Sequence, residues 1–238
     1  MDVRMDRRKG WTGVSIGLAL VVLVLASFLR LYRLGHQSLW ADEMSSLVTA
    51  VKPVPQLLYD ISNEIHPPLY HLMLKVWISV FGTSEAGIRS LSVLFGIVLV
   101  GLTYLLGRRI FGGQVGLLAA FLAALAPFQV YYSQEARMYM PLAAVGAAAV
   151  YSFVRFLEQE DAAERGRGRR AAIWSWAAAF VLANGAGLWL HYSYPIVLVM
   201  ESLLYGLWLV LTWRRRTGPR RALRWAVMQL LVLAVYLP

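Results

Sequence analysis

Pro67-Pro68-Leu69-Tyr70-His71-Leu72-Met73-Leu74-Lys75-Val76-Trp77-Ile78-Ser79-Val80-Phe81 is the stretch on which the fold turns. It reads as an apolar helix started by its prolines, and the question is whether that helix crosses a membrane. Its length, as a helix, is ~22 Å, short of the ~30 Å hydrocarbon core, and His71 and Lys75 lie inside the run. The arginines on either side give the same answer. Basic clusters at Arg4, Arg7, Arg8 and Lys9, at Arg108 and Arg109, from Arg155 to Arg170 and from Arg214 to Arg224 hold most of the 23 Lys and Arg residues. The positive-inside rule places all four clusters on the cytoplasmic face, and a crossing at 67–81 would split them. The segment is therefore expected at the outer interface, with Tyr70 and Trp77 at the headgroup level.

Working outward, the chain is expected to be all-α and polytopic. Its 238 residues are 59% hydrophobic and 15% charged, with a mean hydropathy of +0.57, where a water-soluble domain is about half apolar and a quarter charged. Spans are expected at about 11–29, 90–106, 115–131, 138–154, 171–190, 194–213 and 225–238, with residues 30–89 forming a long extracytoplasmic loop that carries interfacial helices. All of this reads as a single transmembrane module with a cytoplasmic N-terminus. The uncleaved look of the first span, longer than a signal-peptide core and without an A-x-A pattern after it, marks it as a retained anchor. The net charge of +10 sits in short clusters between hydrophobic runs, which argues for membrane orientation and against nucleic acid. With no cysteine there is no thiol nucleophile, thiolate metal site or disulfide.

Two outer loops concentrate the polar chemistry. The first opens with Leu39-Trp40-Ala41-Asp42-Glu43 and closes with Asn63-Glu64-Ile65-His66-Pro67-Pro68-Leu69. One of these carboxylates could serve as a general base; the local alternative is that Asp42 caps a helix over 43–51 and the prolines merely start the next one. The second loop is Tyr131-Tyr132-Ser133-Gln134-Glu135-Ala136-Arg137-Met138-Tyr139. There the fourth span would turn its N-terminus outward, and Arg137 adds a fixed cation, a combination suited to a phosphate. An Arg137–Glu135 pair that only anchors the helix is the alternative. Glu201, in mid-span, should face protein, and His191 with Tyr192 either lines an outer cavity or joins an interface belt.

The order of these elements carries a resemblance. Trp40-Ala41-Asp42-Glu43, then His66-Pro67-Pro68-Leu69-Tyr70, then Gly107-Arg108-Arg109-Ile110-Phe111-Gly112, then Tyr131-Tyr132-Ser133-Gln134-Glu135-Ala136-Arg137 resembles the bacterial branch of glycosyltransferase family 39, the protein O-mannosyltransferase and aminoarabinose transferase relatives of the GT-C superfamily. The resemblance covers nearly the whole chain. It implies transfer of a sugar from a polyprenyl-phosphate donor to a protein, lipid or glycan acceptor hydroxyl, with inversion, at the outer face of a bacterial inner membrane. Asp42 would be the base with Glu43 beside it, Arg137 and Gln134 would bind the donor phosphate, and Glu64, His66, Glu135, Tyr139 and His191 would support the substrates. Certain relatives use a metal and others none. Asp42, Glu64 and His66 could ligate a divalent ion, but their spacing compels no site, so no metal is assigned. Family members continue through further spans, which makes this chain read as an N-terminal portion. The competing readings are a flippase or transporter of lipid-linked sugars, for which Glu201 is the mid-span candidate, and a non-catalytic envelope scaffold.

Overall fold

The structure, a computed structural model, describes residues 13–63, 66–213 and 217–237. Every regular element among them is a helix: α1 (Gly13–Leu31), α2 (Ala41–Val51), α3 (Val54–Ser62), α4 (Leu69–Phe81), α5 (Glu85–Phe111), α6 (Gly113–Leu125), α7 (Pro127–Ser133), α8 (Tyr139–Glu164), α9 (Arg170–Leu190), α10 (Pro195–Leu211) and α11 (Gly218–Tyr236). The all-α class is as the hydropathy pattern reads. By length and composition α5, α8 and α9 can each cross a bilayer; α6 and α7 qualify only as a pair, and α1, α4 and α10 are shorter apolar helices.

The Pro67-Pro68 stretch does begin a helix, the Pro68 carbonyl accepting the Leu72 N–H at 3.0 Å. The 13 residues of α4 reach ~20 Å. Gly82, at φ 77°, turns the chain out of α4 in a conformation that favours glycine, and Ser84 then caps α5 by accepting the Gly87 N–H at 3.2 Å. Lys75 is not a stray charge. Its ammonium donates to the carbonyls of Ala50 at 3.3 Å and Lys52 at 2.7 Å, satisfying the open C-terminal end of α2. Trp77 donates its indole N–H to Ser90 Oγ at 2.9 Å and stacks on Phe81 at 4.2 Å.

The described chain falls into two compact units, each discontinuous in sequence: residues 1–47 with 76–140, and residues 48–75 with 141–238. In the first, α1, α5 and α6 pack about Val22, Ala26, Val100, Tyr104, Ala120, Ala123 and Ala124. The α5–α6 crossing is close because two glycines meet. A Cβ on Gly116 would stand 2.5 Å from the Arg108 nitrogen and 2.7 Å from the Tyr104 oxygen, so any side chain there would force the helices apart.

The expected span over 115–131 is not continuous. It breaks at Ala126, where α6 and α7 meet at 60°. The cause is Pro127, which has no N–H to give the carbonyl four residues back and whose ring opposes a continuing helix. Two other spans run past their apolar cores, 90–106 extending to Glu85–Phe111 and 138–154 to Tyr139–Glu164. The extra turns of α8 are held by charge in the second unit. Arg221, on α11, pairs with Glu160 at 3.3 Å, Asp161 at 3.1 Å and Glu164 at 3.4 Å, and Arg224 also meets Glu160. The Arg221 guanidinium lies 4.4 Å over the Trp208 ring, while Tyr205, stacked at 4.2 Å on Trp225, donates to the Arg221 carbonyl. These contacts also draw the start of α11 back to Gly218, ahead of the apolar run expected from 225. The second unit's core joins Phe153, Phe156, Phe180, Leu188, Tyr194, Tyr205, Met228 and Val232.

Candidate active site

The Trp40-Ala41-Asp42-Glu43 motif folds as the first turn of α2, the Trp40 carbonyl accepting the Met44 N–H at 3.0 Å. The helix therefore begins at Ala41, earlier than the 43–51 helix in which Asp42 was to act as cap. Glu43 does the capping: its Oε2 reaches back to the Trp40 N–H at 3.4 Å, as an acidic residue at the third helical position does in a capping box. Asp42 is left in the first turn with half its side chain exposed (50%).

Glu43 is fully buried and fully engaged. Its Oε1 accepts from Arg89 Nε at 2.8 Å and from the Ala136 N–H at 2.8 Å, and its Oε2 accepts from Arg89 Nη2 at 2.6 Å. Arg89 spends its remaining donors on the carbonyls of Leu34, Gln37 and Ser38 at 3.0, 2.9 and 3.2 Å, so all five N–H groups of the fork are used. Burial alone would raise the Glu43 carboxyl, but the hydrogen bonds from Arg89 and Ala136 and the Arg89 charge outweigh it and hold the group below the usual carboxylate range. Ionised and with both oxygens occupied, Glu43 is placed to hold backbone and to move no proton. Arg89 did not stand out in the sequence; its signal was an arginine at the outer end of a span, against the positive-inside trend.

The Glu43–Ala136 bond draws the second outer loop onto α2. Arg137 follows, two residues before α8, with its side chain only 11% exposed. Its Nη1 donates to the Asp42 carbonyl and to Ser46 Oγ, both at 3.2 Å, and its Nη2 stands 3.9 Å from Asp42 Oδ2, beyond hydrogen-bond length. Its Nε is buried without a partner. An exposed carboxylate thus abuts a buried guanidinium that keeps an unused donor, a geometry able to accept a proton on one side and face an anion on the other.

The other candidate residues divide. Gln134, expected on a donor phosphate, instead donates to the carbonyls of Leu29, Arg30 and Tyr32 at 3.4, 3.2 and 3.0 Å, closing the C-terminal end of α1. Glu135 is buried and pairs with the Tyr131 hydroxyl. Tyr139 joins an edge-to-face aromatic chain with Tyr132 at 5.0 Å, which continues to Tyr131 at 5.2 Å and Phe128 at 4.5 Å. All of these belong to the first unit. In the second unit the rings of His66 and His191 lie 5.4 Å apart, and His191 Nδ1 meets Ser193 Oγ at 2.8 Å. Glu64 lies outside the described residues. Among those described, no group of three or more His, Cys, Asp or Glu is arranged to hold a metal ion. Glu201, also in the second unit, is buried with neither carboxylate oxygen hydrogen-bonded, beside Asn184.

Comparison with known proteins gives these features a context. Residues 65–238 match the family described as dolichyl-phosphate-mannose-protein mannosyltransferase. An uncharacterised protein of Aquifex aeolicus (strain VF5) is 32% identical over 110 residues, which are 43% of this chain and 22% of that protein. Among solved structures, the S. cerevisiae protein O-mannosyltransferase complex bound to the sugar donor superposes with a TM-score of 0.72 at 18% identity, over 97% of this chain and 34% of that one. ArnT from Cupriavidus metallidurans, in the apo state, gives 0.69 at 16% identity, over 94% and 41%. This chain therefore spans well under half the length of each of these proteins, and its fold is that of the GT-C membrane glycosyltransferases.

Proposed function

This chain belongs to the dolichyl-phosphate-mannose-protein mannosyltransferase family, and from that premise we propose that it carries the reaction centre of a membrane enzyme that moves a sugar from a polyprenyl-phosphate donor to an acceptor hydroxyl. Asp42 takes the proton of the acceptor hydroxyl, and the freed oxygen forms a bond to the anomeric carbon from the side opposite the phosphate. The carbon–oxygen bond to phosphate breaks, its electron pair leaves with the polyprenyl phosphate, and the configuration inverts. Arg137 faces the charge that gathers on the leaving phosphate, through donors the protein leaves unspent. The observation that carries this reading is the 3.9 Å approach of a half-exposed Asp42 carboxylate to a buried Arg137. Glu43 and Gln134 act in it only by holding the two loops, and the acceptor is a protein, lipid or glycan.

The site faces the outside of the bacterial inner membrane in this proposal, with the N-terminus in the cytoplasm. Cysteine labelling tests that sidedness on a background free of native cysteine. Single cysteines at Ser62 and Ser79, both exposed, are expected to react with an impermeant reagent from the outside; labelling of Ser79 only from the cytoplasm would move the site to the wrong face.

Arg137→Ala tests the phosphate role in full-length protein in membranes. Loss of one charge-assisted hydrogen bond, ~1.5–3 kcal/mol, lowers kcat/KM for the donor by about 10–100-fold. The acceptor KM is expected to stay put. Unchanged donor kinetics would remove Arg137 from the phosphate.

A further inference from the structure

Arg30 is the largest fully buried side chain among the described residues, at 0% exposure, and its hydrogen-bond partners are neutral oxygens. Its Nη2 donates to the Ala123 carbonyl at 3.2 Å, its Nη1 to Ala124 at 3.1 Å and to Ala26 at 3.2 Å, and its Nε to Ser133 Oγ at 3.1 Å. A buried cation with uncharged partners is an expensive arrangement, and the carbonyls it selects give the reason. Ala123 is the residue whose carbonyl would accept the N–H of residue 127, and residue 127 is proline. Ala124 would accept from Phe128, which the 60° break carries away. The guanidinium thus replaces both bonds that the broken helix loses.

Its third nitrogen reaches the other end of the short helix. Ser133 is the last residue of α7, so one planar fork touches α7 both where it starts and where it stops. Room for this exists because residue 96 of α5 is glycine: a Cβ there would lie 3.0 Å from Arg30 Nε and would collide with the Ser133 side chain. Immediately after Ser133, Gln134 ties back to α1, Ala136 meets Glu43, and Arg137 meets Asp42 and Ser46. The direction in which α7 leaves the break therefore sets where Arg137 stands.

We propose that Arg30 is a positioning residue: by supplying the hydrogen bonds that Pro127 removes and gripping Ser133, it fixes α7 at its bend and so places Arg137 against Asp42. For its effect on catalysis this inference rests on the function proposed above. Lysine is no equivalent here, since its ammonium has no planar fork with which to reach the two carbonyls and the serine together.

The test uses full-length protein in membranes or nanodiscs, with three variants, Arg30→Met, Arg30→Lys and Ser133→Ala, and two readouts. The first is the distance distribution between spin labels at Ser45 and Phe128, both exposed, which needs no activity. It is expected to shift or broaden in Arg30→Met, and in Ser133→Ala, which keeps the Ala123 and Ala124 contacts. The second is kinetic. Displacing Arg137 raises the donor KM by about tenfold in Arg30→Met and a few-fold in Ser133→Ala, with the acceptor KM unchanged and Arg30→Lys in between. A purely structural Arg30 would instead lower only the active fraction, leaving both KM values and the label distances at wild type, and that result overturns the proposal. If Arg30→Met does not fold, Arg30→Lys and Ser133→Ala decide by the same criteria. A wild type that transfers no sugar from a polyprenyl-phosphate donor defeats the proposed function, while the label distances still decide the role of Arg30.

Discussion

Asp42→Asn is expected to lower sugar transfer by about 10²–10⁴-fold, the usual contribution of a positioned general base. The amide has the shape of the carboxylate and no basic oxygen. Because the Asp42 side chain is half exposed and Arg137 is held chiefly by the Asp42 backbone carbonyl and Ser46, the substitution should leave the fold intact. The check is transfer from a labelled polyprenyl-phosphate-sugar in membranes, alongside a thermal melt of the purified variant. Loss of rate with an unchanged melt identifies a chemical role; a wild-type rate would show that the proton leaves by another route.

Glu43, its neighbour, is expected to behave in the opposite way. Glu43→Gln or Glu43→Ala leaves the Arg89 charge buried without its counter-ion, and breaking such a pair by one partner costs ~3–5 kcal/mol. The loss should appear as a lowered Tm and a steep fall in folded yield, with residual activity tracking the folded fraction. Arg89→Met should do the same. The double variant should recover only part, because Arg89 also serves three carbonyls and Glu43 also serves the Ala136 N–H. The pH dependence has a defined sign. Since the folded protein holds the Glu43 carboxyl below its ordinary value of 4.5, the stabilisation is complete above that pH. It drains away as pH falls through the lowered value. Wild type should therefore lose Tm on acidification below about pH 4.5, and Glu43→Gln should show a shallower dependence there.

These contrasting expectations mark what could be read along the chain. Hydropathy and arginine placement found the helices, since lipid leaves a backbone few other options. They could not find the bend, because Ala-Leu-Ala-Pro-Phe is as apolar on either side of Pro127 as a straight span would be; the proline itself was the signal. Asp42 and Arg137 were both picked out from the residues around them, and the structure puts them 3.9 Å apart. What the residues could not give was the division of labour. Asp42 and Glu43 are consecutive carboxylates with the same chemistry, and only the Arg89 partner, 46 residues on, separates an open one from one locked in place. Gln134 fails as a phosphate ligand for a similar reason. An amide beside a cation suits an anion, but here the free carbonyls of α1 lie nearer.

The Arg30 bonds also have a consequence for how the chain is made. Its partners at Ala124 and Ser133 follow it by 94 and 103 residues, so at ~5–20 residues per second the first helix waits roughly 5–20 s for them. During that interval an arginine that will end up dry has only headgroups and water to turn to, and leaving it in the hydrocarbon costs ~2.5–3.5 kcal/mol on insertion scales. Membrane entry of the first helix is thus provisional until the bent pair arrives. A ribosome-bound intermediate arrested before residue 123 should hold α1 shallower in the bilayer than the finished protein does.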